Sequence, residues 1–185
     1  MKALKIVLLL VISLAVLALT SNINPEKTIS EKVAEKEDLS TLLTALEAAD
    51  LVEVLKGEGP YTVFAPTNKA FENLPEGKLD NLLKAENKEE LIKILKYHVV
   101  ADKIHASDIG AETMVETLEG TQLKLTAQST SGEYMGEEAE AMNRVMVNNA
   151  AVTETDIMAS NGIIHVIDSI VMPADMEVMG AANNN

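Results

Sequence analysis

The apolar residues in the first half of the chain recur at helical spacing. Over Leu39–Lys56 they stand three and four positions apart among helix-favouring neighbours, which predicts an amphipathic helix with a break near Asp50. The same spacing predicts two further helices, over Leu74–Ala85 and Asn87–Tyr97. This half of the chain is therefore predicted to be mainly helical.

Short β-branched runs predict the strands. The earliest is Thr62–Ala65, and it ends at Pro66, which has no N–H to donate to a strand ladder. The longest is Ile163–Val171, which follows the turn signal Asn161-Gly162. Further strands are predicted over Tyr97–Val100, Met114–Leu118, Gln122–Thr126, Arg144–Asn148 and Ala150–Thr155. Helices clustered early and strands clustered late predict an α+β fold.

The first residues differ in kind from the rest. Two lysines precede an apolar run over Ile6–Leu19, and small residues stand at Val16 and Ala18 before a cleavage site. This pattern is typical of a secretory signal peptide over residues 1–18. The alternative is an uncleaved anchor, but the apolar run is shorter than the roughly 20 residues of a membrane-spanning helix. Residues 19–38 are predicted to be a lead-in linker that passes into a helix.

Two polar segments are predicted to lie outside the packed fold. Gln128–Asn143 is acidic and weakly patterned, which predicts a long exposed hairpin loop. Ala174–Asn185 is a tail of low complexity, for which disorder is expected. The globular domain is therefore expected over residues 39–173.

Composition and charge indicate one domain without disulfides and argue against nucleic acid and anionic lipid as partners. The chain has 185 residues, 47% of them hydrophobic, which is enough for one domain with its own core. It contains no cysteine, so no disulfide supports the fold. Its formal net charge is -14, and such a surface repels nucleic acid and anionic lipid. With the signal peptide, these features are typical of an exported prokaryotic protein.

Three segments resemble a known family in their order and spacing. They are Thr62–Phe71 (TVFAPTNKAF), the pair Tyr97-His98 in LKYHVV, and Asn161–Pro173 (NGIIHVIDSIVMP). Together they resemble the sequence signatures of the fasciclin domain, and the resemblance extends over about Leu39–Pro173. It implies a fold in which helices pack around a wedge of two small β-sheets. Because one fold serves many functions, it does not by itself fix what the chain binds.

The resemblance also implies which residues fasten these segments together. Tyr97, His98 and Asn68 are expected to be architectural residues and not catalytic ones. Strand alternation places His165 on a buried face, where a neutral imidazole bonded to backbone or to another motif residue is expected. The motif positions with expected structural roles are Thr62, Phe64, Pro66, Thr67, Asn68, Phe71, Tyr97, His98, Asn161, Gly162 and His165.

Other residues carry reactive groups but do not predict a reaction. Residues 105–108 (HASD) include the residue types of a hydrolytic triad, yet a working triad gathers its members from separate elements. A loop in which Ser107 or Asp108 caps the next turn is the better interpretation. The chain shows no zinc pattern, and its acidic segment lacks the alternating ligands of a calcium loop. No catalytic, cofactor-binding or metal-binding residue is predicted.

Glu154–Met158 (ETDIM) bears most directly on function. It resembles the EPDIM segment of animal fasciclin proteins such as keratoepithelin, in which an Asp-Ile pair is implicated in integrin binding. Asp156 and Ile157 match that pair and are candidate adhesion residues, whereas Thr155 replaces the family's proline. The alternative is structural, with Asp156 capping a turn before Asn161 while Ile157 enters the core.

The resemblance implies a secreted, non-enzymatic adhesion module in the extracellular space or the periplasm. Its expected partners are cell-surface or matrix proteins or polysaccharides, with a weak homo-oligomer as a further assembly. Nucleic acid, a cofactor and a stable membrane span after signal cleavage are not expected. The alternative is a carrier of a hydrophobic small molecule such as a carotenoid or lipid, for which methionine and aliphatic side chains would line a groove.

Overall fold

The computed structural model describes residues 27–129 and 143–173. Three predicted features lie outside the described residues: the signal peptide with the start of the lead-in, most of the loop Gln128–Asn143, and the tail Ala174–Asn185. Within the described part of the chain, no helix is long and apolar enough to cross a membrane.

Six α-helices and three short 3-10 helices are found in the described residues. The α-helices are α1 (Ile29–Glu35), α2 (Ser40–Ala48), α3 (Val52–Lys56), α4 (Asn68–Glu72), α5 (Lys78–Leu82) and α6 (Lys88–Tyr97). The 3-10 helices are Glu37–Leu39, Ala85–Asn87 and Ala106–Asp108. Helix α6 agrees with the predicted helix Asn87–Tyr97 to within one residue.

The other two predicted helices are shorter or divided. The helix predicted over Leu39–Lys56 divides into α2 and α3 because Asp50 has a φ of 57°, a left-handed conformation that a right-handed helix cannot include. The helix predicted over Leu74–Ala85 shortens to α5. Pro75 disfavours a helical conformation at the residue before it, and Gly77 has a φ of 76°. The break near Asp50 thus agrees with the prediction, whereas the late start of α5 does not.

In the part of the chain that the structure describes, seven strands form one mixed sheet. They are β1 (Tyr61–Pro66), β2 (Val99–Val100), β3 (Thr113–Glu116), β4 (Gln122–Ser129), β5 (Asn143–Val147), β6 (Ala150–Ala159) and β7 (Gly162–Ile167). Their order across the sheet is β2-β1-β7-β6-β5-β4-β3. Strands β1 and β7 are parallel, and all other neighbours are antiparallel. The predicted wedge of two small sheets is therefore not confirmed, because the strands join into a single sheet.

This sheet curls until its two end strands almost meet. Val100 in β2 forms a β-bridge with Thr117, which follows β3 directly. Next to that bridge, the N–H of Leu118 donates to the carbonyl of Val99 at 2.7 Å. The sheet is thus nearly closed into a barrel, an arrangement that protects backbone groups at its edges.

Apolar side chains form two clusters, on the two faces of the curled sheet. The inner cluster includes Phe64, Leu123, Leu125, Val147 and Ile167, all of which are completely buried. The outer cluster lies between the sheet and the helices. It includes Ile29, Val33, Leu42, Leu46, Leu55, Val63, Leu91, Ile94 and Ile164. Neighbouring residues of β1 and β7 therefore alternate between the two clusters, as strand geometry requires.

Helix α1 is part of the packed fold. Its N-cap Thr28 forms a capping box with Glu31, in which the Thr28 N–H donates to the Glu31 carboxylate at 2.8 Å. Ile29 and Val33 are completely buried in the outer cluster. The packed structure therefore begins before Leu39.

Two glycines allow β1 and the β6–β7 turn to lie in close contact. A Cβ atom on Gly59 would lie 2.0 Å from the carbonyl oxygen of Asn161. A Cβ on Gly162 would lie 2.0 Å from the carbonyl oxygen of Tyr61. The two segments are also joined by a bond from the Tyr61 N–H to the Asn161 carbonyl at 3.1 Å. Since a side chain would force the backbones apart, both positions require glycine.

Candidate functional site

His165 lies in the interior of the sheet and bonds to two separate segments. It is completely buried in β7. Its Nε2–H donates to the carbonyl of Ile104 at 2.9 Å, and its Nδ1 accepts from the N–H of Asp156 at 3.3 Å. One donating and one accepting nitrogen require the neutral imidazole. Burial lowers the pKa of His165 below its ordinary value, which favours the same form, although the bond to Ile104 opposes the shift.

The ring of His165 also packs against an aromatic neighbour. Phe64 stands opposite it in the parallel β1–β7 pair. The two rings are stacked, with centroids 5.6 Å apart and planes inclined by 21°. The Phe64 N–H donates to the carbonyl of His98 at 2.9 Å, which joins β1 to the residue before β2. The stacked pair therefore contributes packing to the inner cluster as well as hydrogen bonds.

Asp156 lies at an irregularity in β6. The pairing register of β6 with β7 shifts between Glu154 and Ile157. Asp156 has a φ of 56°, in the left-handed region that aspartate occupies more readily than most residues. This conformation accompanies the bond from its N–H to His165. Strand β6 continues beyond this point, four residues past the predicted end at Thr155.

The carboxylate of Asp156 caps a 3-10 helix on another segment. It accepts from the N–H of Ala106 at 3.1 Å, and it lies 3.2 Å from Nδ1 of His105. These residues begin the 3-10 helix Ala106–Asp108, which is therefore the turn that Asp156 caps. The turn before Asn161, suggested by the sequence, is not the one capped. The Asp156 side chain is 35% exposed.

Ile157, the other candidate adhesion residue, is partly buried. It stands opposite Ile164 in the sheet and packs against the outer cluster. The neighbouring Met158 is more open, with 41% of its surface exposed. Asp156 and Ile157 thus both contribute contacts to the fold, and neither projects freely into solvent.

Thr62 fastens the segment that follows β2. It is completely buried in β1. Its hydroxyl donates to the carbonyl of Asp102 at 2.7 Å and accepts from the N–H of Ile104 at 2.9 Å. With the bonds from His165 and Asp156, residues 102–106 are therefore held to β1, β6 and β7 by side-chain hydrogen bonds.

His98 makes a similar connection at the end of α6. It is 2% exposed. Its Nδ1–H donates to the carbonyl of Ile94 at 2.8 Å, and its Nε2 accepts from the N–H of Val171 at 3.3 Å. Burial lowers its pKa to about 4, opposed by the bond to Ile94, so the ring is neutral at pH 7. His98 therefore ties helix α6 to the chain after β7.

Tyr97 connects the same helix to the far part of the sheet. Its ring is buried in the inner cluster. Its hydroxyl donates to the carbonyl of Gln122 at 3.2 Å and accepts from the side-chain amide of Asn148 at 3.1 Å. Asn148 is itself left-handed, with a φ of 49°, at the β5–β6 turn. The Tyr97 hydroxyl therefore joins β4 to that turn.

Asn68 joins the segment after β1 to the earlier helices. Its side-chain amide donates to the carbonyl of Glu37 at 2.9 Å and to the hydroxyl of Ser40 at 3.0 Å. Its side-chain oxygen accepts from the N–H of Thr41 at 2.9 Å. Thr67, immediately before it, is the N-cap of α4. Asn68 thus uses all its polar atoms to hold the start of α2.

The two remaining motif positions around α4 have packing roles. Pro66, the last residue of β1, stands opposite Ile167. Phe71 in α4 is 7% exposed and packs in the outer cluster. The first motif thus contacts both β7 and the helical layer.

Asn161 has a role that the sequence did not predict. Its side-chain oxygen accepts from the N–H of Ile29 at 3.0 Å. Its amide donates to the carbonyls of Leu55 at 2.7 Å and Gly57 at 2.9 Å. Beyond its place in the Asn-Gly turn, Asn161 therefore joins the start of α1 to the end of α3. Partners more than a hundred residues away leave no local signal in the sequence.

The triad residue types near His105 do not form a catalytic arrangement. The N–H of His105 donates to the carboxylate of Asp108 at 3.0 Å, which stabilises the 3-10 turn. Its ring contacts Asp156, and no described hydroxyl or amine hydrogen-bonds its other nitrogen. Among the residues that the structure covers, no cluster of three or more His, Asp or Glu side chains is placed to hold a metal ion.

A polar cavity of the described structure lies where α1, α3 and the β6–β7 turn meet. It is an open cleft of about 510 Å³. Its lining residues are Thr28, Lys56, Gly57, Glu58, Gly59, Pro60, Lys103, Ser160, Asn161 and Gly162. An apolar crevice near Leu51, Val54 and Leu118 encloses only about 10 Å³. Of the two, only the polar cleft has a volume typical of ligand sites.

Comparison with known proteins agrees with the motifs. A family model described as "Fasciclin domain" matches residues 37–173. Protein sll1483 of a Synechocystis species is 46% identical over 152 residues, which are 79% of this chain and 73% of that protein. The cell surface glycolipoprotein MPB83 of Mycobacterium bovis is 36% identical over 140 residues, which are 73% of this chain and 56% of that protein.

A solved structure shows the same fold. The FAS1 domain pair of the insect cell adhesion molecule Fasciclin I superposes with a TM-score of 0.66 at 19% sequence identity. The match covers 82% of this chain and 52% of the insect chain. The chain thus spans about half the length of that domain pair.

Proposed function

We propose that this chain, which belongs to the fasciclin domain family, is a secreted, non-enzymatic module that binds cell-surface or matrix components. Two similar proteins support the proposal by their descriptions, one as a cell surface glycolipoprotein and one as a cell adhesion molecule. The chain covers only about half of each, so their activities as whole proteins enter here as a proposal.

One structural observation carries the proposal. The polar side chains of the family motifs bond inward and join distant backbone segments. Both motif histidines are neutral and buried, with both ring nitrogens bonded to backbone groups. Side chains arranged in this way stabilise a scaffold, and leave the exposed surface to make contacts with a partner.

Asp156 and Ile157 belong to the scaffold in this proposal. The Asp156 carboxylate accepts a hydrogen bond from the backbone N–H of Ala106, and Ile157 packs on the outer cluster. One carboxylate oxygen of Asp156, Oδ1, is thus already bonded within the fold. We therefore assign attachment to a wider surface than this pair.

Export is part of the same proposal. The apolar run and the small residues at Val16 and Ala18 support a cleaved signal peptide over residues 1–18. Mass spectrometry of protein recovered from the culture medium or periplasm tests this, with a mature chain that begins near Leu19 as the expected result. Secreted protein that retains Met1–Ala18 would contradict it.

A hydrophobic carrier has less support. A carotenoid or lipid needs an apolar cavity of several hundred Å³. The apolar crevice among the described residues encloses about 10 Å³, which is less than the space of a few water molecules. Met114 and Met158 are 49% and 41% exposed, but they lie on different strands of the sheet. Neither the polar cleft nor this crevice therefore favours the carrier.

Binding assays with the secreted form test the proposed function. Beads coated with the mature chain would be incubated with host cells and with extracted extracellular polysaccharide. Beads coated with an unrelated protein of equal charge serve as the control. We expect retention on the chain-coated beads alone. Equal retention on both bead types would overturn the proposal, and a coloured or lipid-loaded purified protein would favour the carrier.

A further inference from the structure

We infer that the cleft between helix α3 and the β6–β7 turn binds a segment of an anionic polysaccharide. This inference rests on the proposed function, because it assigns one partner class and one surface to a module that binds extracellular material. The site is distinct from the Asp156 network, since none of the lining residues belongs to that network.

The shape of the cleft suits a polymer that passes through an open groove. Its volume of about 510 Å³ lies within the range of ligand sites, roughly 300–1,000 Å³. Gly57, Gly59 and Gly162 in the lining contribute no side chains to fill the cleft. Because Gly59 and Gly162 cannot carry a Cβ, this shape is fixed by the same close contact that joins β1 to the turn.

The walls of the cleft are held in place before any ligand binds. Asn161 lies in the lining and bonds to the carbonyls of Leu55 and Gly57 at the end of α3. These bonds fix the position of α3 relative to the β6–β7 turn. They also occupy carbonyl oxygens that would otherwise repel an anion. A preformed site of this kind loses little conformational entropy on binding.

The charge of the lining differs from that of the whole chain. Of the described residues in the lining, Lys56 and Lys103 are basic and Glu58 alone is acidic, whereas the chain has a net charge of -14. Lys103 is exposed, and the described residues include no ion-pair partner for it. Lys56 contacts Glu53 at 2.6 Å in an exposed pair, which a ligand anion can replace at small cost.

The other polar groups of the lining match a sugar. The hydroxyl of Ser160 can donate to or accept from sugar hydroxyls, while ammonium groups bind carboxylate or sulfate as point charges. Pro60 adds an exposed apolar ring for the C–H face of a pyranose. The described lining residues include no aromatic ring on which a nucleobase could stack, so the chemistry favours a polysaccharide over a single-stranded nucleic acid.

Affinity measurements with defined polymers test the inference. Oligogalacturonate, dextran sulfate and uncharged dextran would be titrated into the mature chain by calorimetry at low and at physiological salt. We expect binding of at least one anionic polymer, weaker at the higher salt, and no binding of dextran. Because the chain is strongly acidic, non-specific attraction to a polyanion cannot produce this result.

Two matched pairs of substitutions locate the binding. Lys56→Gln with Lys103→Gln removes the basic groups of the cleft. Lys69→Gln with Lys84→Gln removes the same charge from exposed positions outside it. We expect the first pair to weaken binding by roughly three- to thirtyfold, the effect of two exposed ion pairs, and the second to change it little. Glu58→Gln should tighten binding.

The possible outcomes separate this inference from the proposed function. Equal effects of the two lysine pairs, or preferred binding of uncharged dextran, would overturn the cleft assignment. Absence of binding to every polymer would do the same. If the chain-coated beads still retain cells in that case, the proposed function stands and only the assignment of binding to the cleft is wrong. Stronger binding of single-stranded DNA than of either anionic sugar would replace the polysaccharide with a nucleic acid.

Discussion

The backbone N–H of Asp156 donates a hydrogen bond to Nδ1 of His165, at 3.3 Å, from a left-handed residue in the middle of strand β6. The other nitrogen of the ring donates to Ile104, and the Asp156 carboxylate accepts from Ala106. The pair therefore holds the segment after β2 against the sheet from two sides. In this position both residues stabilise the folded structure.

Removal of the His165 ring should destabilise the fold strongly. His165→Ala deletes a completely buried ring that stacks on Phe64, and it leaves the Ile104 carbonyl and the Asp156 N–H without a partner. We expect a loss of about 2–4 kcal/mol in the free energy of unfolding. Urea denaturation followed by circular dichroism measures it.

His105→Ala is the matched control for that change. The His105 side chain is 40% exposed, and its Nδ1 lies 3.2 Å from the Asp156 carboxylate. We expect its loss to cost less than about 1 kcal/mol. A His165→Ala variant as stable as the parent but unable to bind would reverse the architectural assignment of His165.

The stability of the protein should fall in mild acid because of its buried histidines. Burial lowers the pKa of His98 to about 4, whereas the imidazole in an unfolded chain keeps its ordinary value of 6.5. Between these two pH values the unfolded chain binds a proton that the folded chain does not. The contribution of His98 to the free energy of unfolding is therefore intact above pH 6.5 and declines as the pH falls to 4. The slope from one such group reaches about 1.4 kcal/mol per pH unit.

The lowered pKa of His165 likewise makes the folded protein less stable as the pH falls. Urea denaturation between pH 7 and pH 4 measures the slope, and NMR titration of the imidazole carbon-bound protons assigns it to individual rings. A His98 resonance that titrates near 6.5 in the folded protein would show that its ring is not held in the neutral form.

Asn161 should matter far more than a turn residue ordinarily does. Asn161→Ala removes three side-chain hydrogen bonds, one to Ile29 and two to carbonyls at the end of α3. At about 1 kcal/mol each, we expect a loss of about 3 kcal/mol in unfolding free energy. Asn73→Ala, at an exposed asparagine, is the control, with an expected change within about 0.5 kcal/mol. Equal melting temperatures for the two variants would contradict the assigned role.

Gly162 should not tolerate even a methyl group. Gly162→Ala would place a Cβ 2.0 Å from the carbonyl oxygen of Tyr61, a backbone atom that cannot rotate away. We expect a loss of more than about 4 kcal/mol, or failure to fold. At Gly110 the nearest atom to an added Cβ is 3.7 Å away, so Gly110→Ala should be close to neutral. Soluble yield and thermal melting of the two variants provide the comparison.

The elements that the sequence predicts well are those whose signal is local. Helix α6 has a clear apolar face, and β1 is bounded by proline, so their limits agree with the prediction to within one or two residues. The predicted strand Ile163–Val171 is too long, since β7 ends at Ile167. Apolar residues continue beyond that point because Val171 packs in the inner cluster without pairing in the sheet.

The features that the sequence does not predict depend on contacts between distant segments. Parallel pairing of β1 with β7 joins residues about a hundred positions apart and converts two supposed sheets into one. The partner of the Asp156 carboxylate is Ala106, 50 residues earlier in the chain. The resemblance identified the residues that matter, but the pairs they form require the folded chain.

Asp156→Ala and Asp156→Asn distinguish a structural role from an adhesive one. Alanine removes the acceptor for Ala106 and disfavours the left-handed backbone, so we expect a loss of about 1–3 kcal/mol. Asparagine keeps a side-chain oxygen and tolerates that backbone, so it should preserve stability while removing the charge. Ile157→Ala, at a partly buried position, should cost about 1–2 kcal/mol.

The most direct test of the account measures attachment and unfolding free energy together on Asp156→Asn. Beads coated with the parent and with the variant would be compared for retention of host cells, at a temperature where urea denaturation shows both to be folded. The account predicts equal attachment, because the carboxylate serves the fold and the partner contacts a wider surface. Loss of attachment by a variant as stable as the parent would show that Asp156 itself binds the partner, and would contradict the account.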